Sequence, residues 1–352
     1  MKLGIIGLPL SGKTTLFNAA SGQQEQVGDY SRAEHRAVIR VPDRRLNDLV
    51  AIYEETKKVT HAEIEFLDAA GFSGRGKAAK GKLEIAPELH LVDAFVIVLD
   101  DFSPNARPEQ DLQTIVDEMI LADLAIIENS IDKIARTIQL TGRKERAREL
   151  ELLRQCQEML NDERMISELA LDGDDEKILR GYAFLSQKPQ LLIFNIAEEN
   201  LEQSADLYNR YAKHKREGIC DIAVICGRIE MELATLPEQE QKEFLTELNI
   251  DRPVVEKVIQ RSYALLGLIS FFTLSRPECR AWTIRQGSRA PRAAGIIHTD
   301  FERGFIRAEV ASYEDYMQYK TVPALKAAAK LHVEGKEYEV QDGDVILFRF
   351  NV

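Results

Sequence analysis

Residues 7 to 14 read Gly-Leu-Pro-Leu-Ser-Gly-Lys-Thr, an ungapped fit to G-x-x-x-x-G-K-[ST]. The pattern needs glycines so that consecutive main-chain N–H groups can close around an anion. It also needs a strand to deliver the loop and a helix to leave it with its positive end aimed at the same point. Both flanks are present. Leu3 to Ile6 is a short apolar run, and Thr15 to Ala20 opens a helical stretch. A chance match in a surface loop has no reason to carry them. The loop predicts a phosphate site in which the main chain of Leu8, Pro9, Leu10, Ser11, Gly12, Lys13, Thr14 and Thr15 surrounds the anion. Lys13 directs a point charge at the β- and γ-phosphates, and Thr14 offers an oxygen to Mg²⁺.

A loop of this kind belongs to α/β proteins, and the rest of the chain agrees. Ala62 to Leu67, Ala94 to Leu99, Leu191 to Phe194 and Ile222 to Ile225 are further apolar runs separated by helical stretches. Continuous runs mark strands buried on both faces, so a doubly wound, mostly parallel sheet is expected. From Asp111 to Leu185 the rhythm breaks. Leu121, Leu124, Ile127, Ile131, Ile134 and Ile138, then Leu150, Leu153 and Leu160, fall at helical spacing and predict a helical hairpin. From Leu266 short strands and turns take over. The expected division is a discontinuous P-loop domain (1–110 and 186–265), a helical or coiled-coil insertion (111–185) and a strand-rich C-terminal domain (266–352).

Downstream of the loop, Asp68-Ala69-Ala70-Gly71 follows the second strand. A carboxylate there suits the Mg²⁺ shell, and the Gly71 amide can sense the γ-phosphate. Phe72 comes next, and a phenyl ring cannot orient water. Asn195-Ile196-Ala197-Glu198 follows a later strand. Guanine-specific proteins show Asn-Lys-x-Asp at such a place, so Asn195, Ile196 and Glu198 read as a base-reading motif with weakened guanine recognition. A plain loop is the alternative. Near the C-terminus, Arg276, Arg280, Arg285, Arg289, Arg292, Arg303 and Arg307 stand against only Glu278, Asp300 and Glu302, with Trp282, Phe301 and Phe305 between them. Forked cations and rings suit phosphate and base contacts. Solvated arginines and core aromatics are an equal reading.

Composition sets bounds. The 352 residues carry 46 Lys+Arg against 58 Asp+Glu, a formal charge of −12, which argues against a general polyanion binder while leaving a local basic face open. Four cysteines lack metal-ligand spacing and read as free thiols of a reducing compartment. No apolar run approaches the ~20 residues that span a bilayer. A cytoplasmic protein without membrane association is expected.

Together the motifs resemble the Obg-like ATPase family, known in bacteria as YchF, over nearly the whole chain. The likeness is densest in Arg280-Ala281-Trp282-Thr283-Ile284-Arg285, in Ala293 to Glu302 and in Gln341-Asp342-Gly343-Asp344-Val345, which match its TGS domain, a ubiquitin-like β-grasp. The resemblance implies a G domain with a helical insertion, ATP preferred over GTP, and association with ribosomes. It also places Ser31 where the family has its switch threonine, a third Mg²⁺ ligand. Leu10 stands where the family has asparagine, the segment after Gly71 is shortened, and a histidine often carried after the Ala94–Leu99 strand is missing. The reading that follows is a slow Mg²⁺-dependent nucleotide hydrolase in which Lys13 and Gly71 are catalytic, Thr14, Asp68 and Ser31 serve the metal, and the C-terminal domain contacts ribosome or RNA. The alternatives are a nucleotide-gated RNA- or ribosome-binding module with little turnover, or a small-molecule P-loop kinase.

Overall fold

The computed structural model describes residues 1–22, 35–52, 58–68, 85–141, 146–248, 250, 252–275 and 278–351. Along the chain come β1 (Lys2–Ile6), α1 (Lys13–Ser21), β2 (His35–Arg40), α2 (Arg44–Ile52), β3 (Lys58–Thr60), β4 (Glu63–Asp68) and β5 (Ala94–Asp101). Three helices follow: α3 (Pro108–Thr141), α4 (Ala147–Asn161) and α5 (Gly173–Leu179). Alternation resumes with β6 (Gln190–Ile196), α6 (Ser204–Tyr211), β7 (Cys220–Ile225), α7 (Gly227–Thr235), α8 (Glu238–Glu247) and α9 (Val254–Leu265). The last stretch holds β8 (Leu268–Leu274), β9 (Glu278–Arg285), α10 (Ala290–Ile297), α11 (Thr299–Arg303), β10 (Phe305–Ala311), α12 (Tyr313–Tyr319), α13 (Val322–Ala327), β11 (His332–Glu334) and β12 (Val345–Phe350).

Two compact units emerge, residues 1–37 with 65–258, and residues 38–64 with 259–352. The first is built on a six-stranded sheet of order β2-β4-β1-β5-β6-β7, in which β4, β1, β5, β6 and β7 run parallel. Its central strands are buried along their length, as the unbroken apolar runs require. Ile6, Phe95, Ile97, Leu99, Leu192 and Phe194 form its core with Ile115 and Met119 of α3. The helical insertion has an apolar cluster of its own. Ile127 and Ile134 of α3 meet Leu152, Leu153, Cys156 and Leu160 of α4, at the three- and four-residue spacing read from the sequence. By contacts it nevertheless groups with the parallel sheet.

The second unit has a mixed sheet of order β11-β10-β12-β8-β9-β3. The strands β8 and β12 pair in parallel, with antiparallel β9 and β10 on their flanks. Ala290, Ala293 and Ala294 of α10 pack with Phe271, Ile284, Ala308 and Phe348, the arrangement of a β-grasp. The stretch between β9 and β11 is helical as well as extended: α10 to α13 occupy much of it. Residues 38–64 also join this unit. The strand β3 pairs in parallel with β9, Lys58 to Glu278 and Thr60 to Arg280. Arg45 of α2 lies 2.8 Å from Asp342, and the Tyr313 hydroxyl donates to Asp48 at 2.7 Å.

Candidate nucleotide site

The site grows from the carboxyl end of β1, where the strand order of an open parallel sheet leaves a crevice for ligands. A Cβ at Gly7 would meet the Val98 carbonyl and the Ser11 hydroxyl. At Gly12, with φ of 95°, a Cβ would collide with the Asn195 side-chain amide. Both glycines of the motif are therefore required by close approach. Gly12 caps α1 without a side chain, and the first turn carries no acid. The turn keeps its positive end and its N–H donors for an outside anion.

Three groups of the loop face the same demand. Lys13 Nζ donates to the Leu8 carbonyl at 2.8 Å. Burial holds its pKa below that of ordinary lysine, and the Asp68 carboxylate only partly opposes this. The Ser11 hydroxyl is buried, the residue being 2 % exposed, and it finds no hydrogen-bond partner among the described residues. The Thr14 hydroxyl donates to Asp68 at 3.2 Å. The parallel register of β1 and β4, with Ile5 opposite Asp68, brings that carboxylate beside the loop. A buried hydroxyl with no partner among the described residues, a desolvated ammonium and a helix end without a side-chain cap are all satisfied by phosphates.

The same residues fit Mg²⁺. Thr14 and Asp68 offer hard oxygen donors next to the phosphate position. Among the described residues no group of three or more His, Cys, Asp and Glu is placed to hold a metal. A shared site of this kind, completed by phosphates and water, suits Mg²⁺ better than a dedicated cage. Ser31, Gly71 and Phe72 lie outside the described residues, so their expected roles remain readings of the sequence.

Asn195, expected in a base-reading motif, is buried and bonded within the protein. Its Nδ2 donates to the Ser11 carbonyl at 3.0 Å, and its Oδ1 accepts from the Gly227 amide at 2.9 Å. One buried side chain thus ties the phosphate loop to the start of α7. Ile196, expected among the nucleotide-binding residues, is 2 % exposed and packs with Cys226, Ile229, Leu233 and Leu245. Its side chain belongs to the core, so only its main chain is free for a nucleotide. Glu198 is exposed just beyond β6 and forms an ion pair with Arg228 at 3.7 Å. Arg228 went unnoticed in the sequence because it lies 30 residues from Glu198, with no motif spacing to link them. Leu8 and Pro9 keep their places in the loop, and Thr15 lies in the first turn of α1.

The C-terminal arginines look different once folded. Arg289 pairs with Glu337 at 2.5 Å, Arg292 with Glu302 at 3.8 Å and Arg307 with Glu309 at 3.7 Å. Two of those carboxylates come from outside the stretch counted in the sequence. Arg280 lies 3.9 Å over the Trp282 ring, whose Nε1 donates to Thr273. Phe301 stacks on Phe350 at 3.7 Å, and Phe305 is buried. Arg276 lies outside the described residues. Arg285 and Arg303 form no ion pair among the described residues.

A family model described as a 50S ribosome-binding GTPase matches residues 2–131. The C-terminal model of YchF-type GTPases, described as a protein of unknown function, matches residues 268–351. The ribosome-binding ATPase YchF of Haemophilus ducreyi is 37 % identical, covering 100 % of this chain and 99 % of the relative. The chain belongs to the YchF family. The ribosome-binding ATPase YchF of Bacillus subtilis is 35 % identical across 99 % of both chains. A solved structure of the Schizosaccharomyces pombe YchF GTPase superposes with a TM-score of 0.84 at 27 % identity, covering 99 % of this chain and 97 % of that one. A GTP-binding protein from Pyrococcus horikoshii, at 16 % identity and a TM-score of 0.56, shares the fold. No described helix is long and apolar enough to cross a membrane.

Proposed function

We propose that this chain is a slow, Mg²⁺-dependent nucleoside triphosphate hydrolase that takes ATP at least as well as GTP and works in association with ribosomes. The observation that carries the reading is the Thr14–Asp68 oxygen pair set beside Lys13 in an uncapped phosphate loop. Relatives named ribosome-binding ATPases support the partner.

The loop amides and the Lys13 ammonium hold the phosphates and offset the negative charge that grows on them as the terminal phosphoryl group leaves. Thr14 and Asp68 organise Mg²⁺, which supplies further charge stabilisation when bound. Ser31 and Gly71 complete the metal shell and the γ-phosphate contact in this reading. Asn195 holds the base side against the loop, and Glu198 borders the base. No side chain acts as nucleophile, so positioning and electrostatics carry the reaction, and a low basal rate follows.

The test is single-turnover hydrolysis of ATP and GTP by the purified chain and by Lys13→Ala, with and without ribosomes. The expected result is a basal rate far below 1 s⁻¹ that Lys13→Ala abolishes. Unchanged turnover in a folded Lys13→Ala chain would remove this loop from the active site. Tight nucleotide-dependent ribosome binding with no turnover under any condition would favour an idle switch module instead.

A further inference from the structure

Among the described residues, Leu10, Glu163, Ala183, Lys320 and Ala329 hold a left-handed backbone without being glycine. The last four end or follow helical turns, where that conformation satisfies the final carbonyls. Leu10, with φ of 70°, follows no helix. It lies between Gly7 and Gly12 of the phosphate loop, in a turn where the Ser11 amide donates to the Leu8 carbonyl at 3.3 Å. Its side chain also departs from that of its neighbour. Leu8 packs against the core of the parallel sheet, whereas Leu10 is 71 % exposed. In the free chain nothing offsets a strained main chain that carries an open apolar side chain, so the offset belongs to a complex. Strained residues of this kind gather at ligand clamps.

The neighbours of Leu10 identify the ligand group. In the site reading above, the amides from Leu8 to Thr15 surround the phosphates. The next residue, Ser11, has its carbonyl held at 3.0 Å by Asn195 Nδ2, from the carboxyl end of β6. Leu10 therefore stands on the flank of the loop that runs from the phosphates toward the strand bordering the base. In a nucleoside triphosphate the group between phosphates and base is the ribose. Its ring carbons present a C–H surface that an aliphatic side chain covers. We propose that the Leu10 side chain is a ribose contact: the bound nucleotide buries the leucine, and that burial offsets the strain of its backbone. The contact is blind to the base. Any nucleoside triphosphate in the site gains it, and inorganic triphosphate does not. This inference rests on the nucleotide-site reading and adds to it one side chain that the loop motif leaves unspecified.

The experiment measures the dissociation constants of non-hydrolysable ATP and GTP analogues and of inorganic tripolyphosphate, each with Mg²⁺, for the full chain, for Leu10→Gly and for Leu10→Met. Glycine adopts the left-handed conformation without Cβ crowding, so Leu10→Gly keeps the loop and removes only the side chain. It is expected to weaken both nucleotide analogues alike by about fivefold, the scale of covering much of one leucine side chain. Tripolyphosphate binds it as it binds the parent. Leu10→Met restores apolar surface of similar volume and stays within about twofold of the parent for every ligand. Parent-like affinity of Leu10→Gly for both nucleotide analogues overturns the contact and leaves the nucleotide site standing. An equal loss for tripolyphosphate assigns the effect to the shape of the loop and overturns the ribose contact. So does a Leu10→Met chain as weak as Leu10→Gly. Failure of the unaltered chain to bind either nucleotide analogue overturns the site reading and this inference with it.

Discussion

Leu10 sits in the phosphate loop at φ of 70°, with 71 % of its surface exposed. A leucine pays for the left-handed region by crowding its Cβ against the next carbonyl, about 1–2 kcal/mol for a residue that gains no burial in return. Asparagine, the residue the family resemblance puts here, visits that region far more readily. Leu10→Asn is therefore expected to raise stability by about 0.5–1 kcal/mol. Equilibrium denaturation of the two chains checks this, and a loss of stability would show that the leucine side chain makes contacts that outweigh the strain. Lys13 makes a second, pH-dependent prediction. Burial lowers its pKa in the free chain. Bound phosphates add negative charge and raise it again. Between the lowered and the ordinary value, nucleotide binding takes up a proton at Lys13. In the same alkaline window the unfolded chain holds more protons than the folded one, so the contribution of Lys13 to stability rises with pH. Binding calorimetry at alkaline pH in two buffers of different ionisation enthalpy reads the uptake, and identical heats would refute it.

Two buried carboxylates hold elements together. Asp123 of α3 accepts from the Leu185 amide at 2.9 Å and from the Ser186 amide and hydroxyl at 2.8 and 2.6 Å. It fastens the returning chain to the insertion just before β6. Glu230 of α7 accepts from the Val254 and Val255 amides, both at 3.0 Å, and so supplies the opening turn of α9 with acceptors. Asp123→Ala leaves three buried donors unmet at about 1–3 kcal/mol each before relaxation. A loss of about 3 kcal/mol or more is expected in chemical denaturation, with Asp123→Asn losing less because one acceptor oxygen remains. An Ala variant within 1 kcal/mol of the parent would show that water replaces the carboxylate. Neither clasp was legible in the sequence, because their partners lie 62 and 24 residues away and follow no periodicity. What periodicity does report was legible: the core strands β1, β4, β5, β6 and β7, and the helical stripe from Leu121 to Leu160. β3 escaped because its three residues offer no pattern, and β2 because its alternating Arg36, Val38 and Arg40 are exposed. The phosphate loop was legible because its chemistry is local. The base rim was only half so, since Asn195 and Glu198 share a motif while Arg228 joins them through the fold.

At the scale of the whole molecule, the sequence suggests that the last 87 residues, 266–352, form a separate domain behind a clean boundary. The contacts divide the chain otherwise, with residues 38–64 in the C-terminal unit. Within that segment, α2 and β3 draw on the C-terminal stretch for partners. Among the described residues β3 pairs only with β9, and Lys58 and Thr60 both reach Glu278. Arg45 lies over the Phe272 ring at 5.4 Å as well as against Asp342. A chain ending at residue 265 strips all of these at once. It leaves a strand of three residues with no ladder and a helix, α2, with its Arg45 and Asp48 contacts gone. Short strands and single helices are marginal without packing. The truncated chain is thus expected to lose order in α2 and β3 while β1, β5, β6 and β7 keep their core. The residues between α1 and β2, which include Ser31, lead directly into that segment. Limited proteolysis with mass spectrometry of residues 1–265 and of the full chain provides the test, together with nucleotide affinity. New cleavage within residues 38–64 and weaker Mg²⁺-dependent binding are the expected outcome. Equal protection of that segment in both chains would mean that it folds with the parallel-sheet unit and that residue 265 is a true domain boundary.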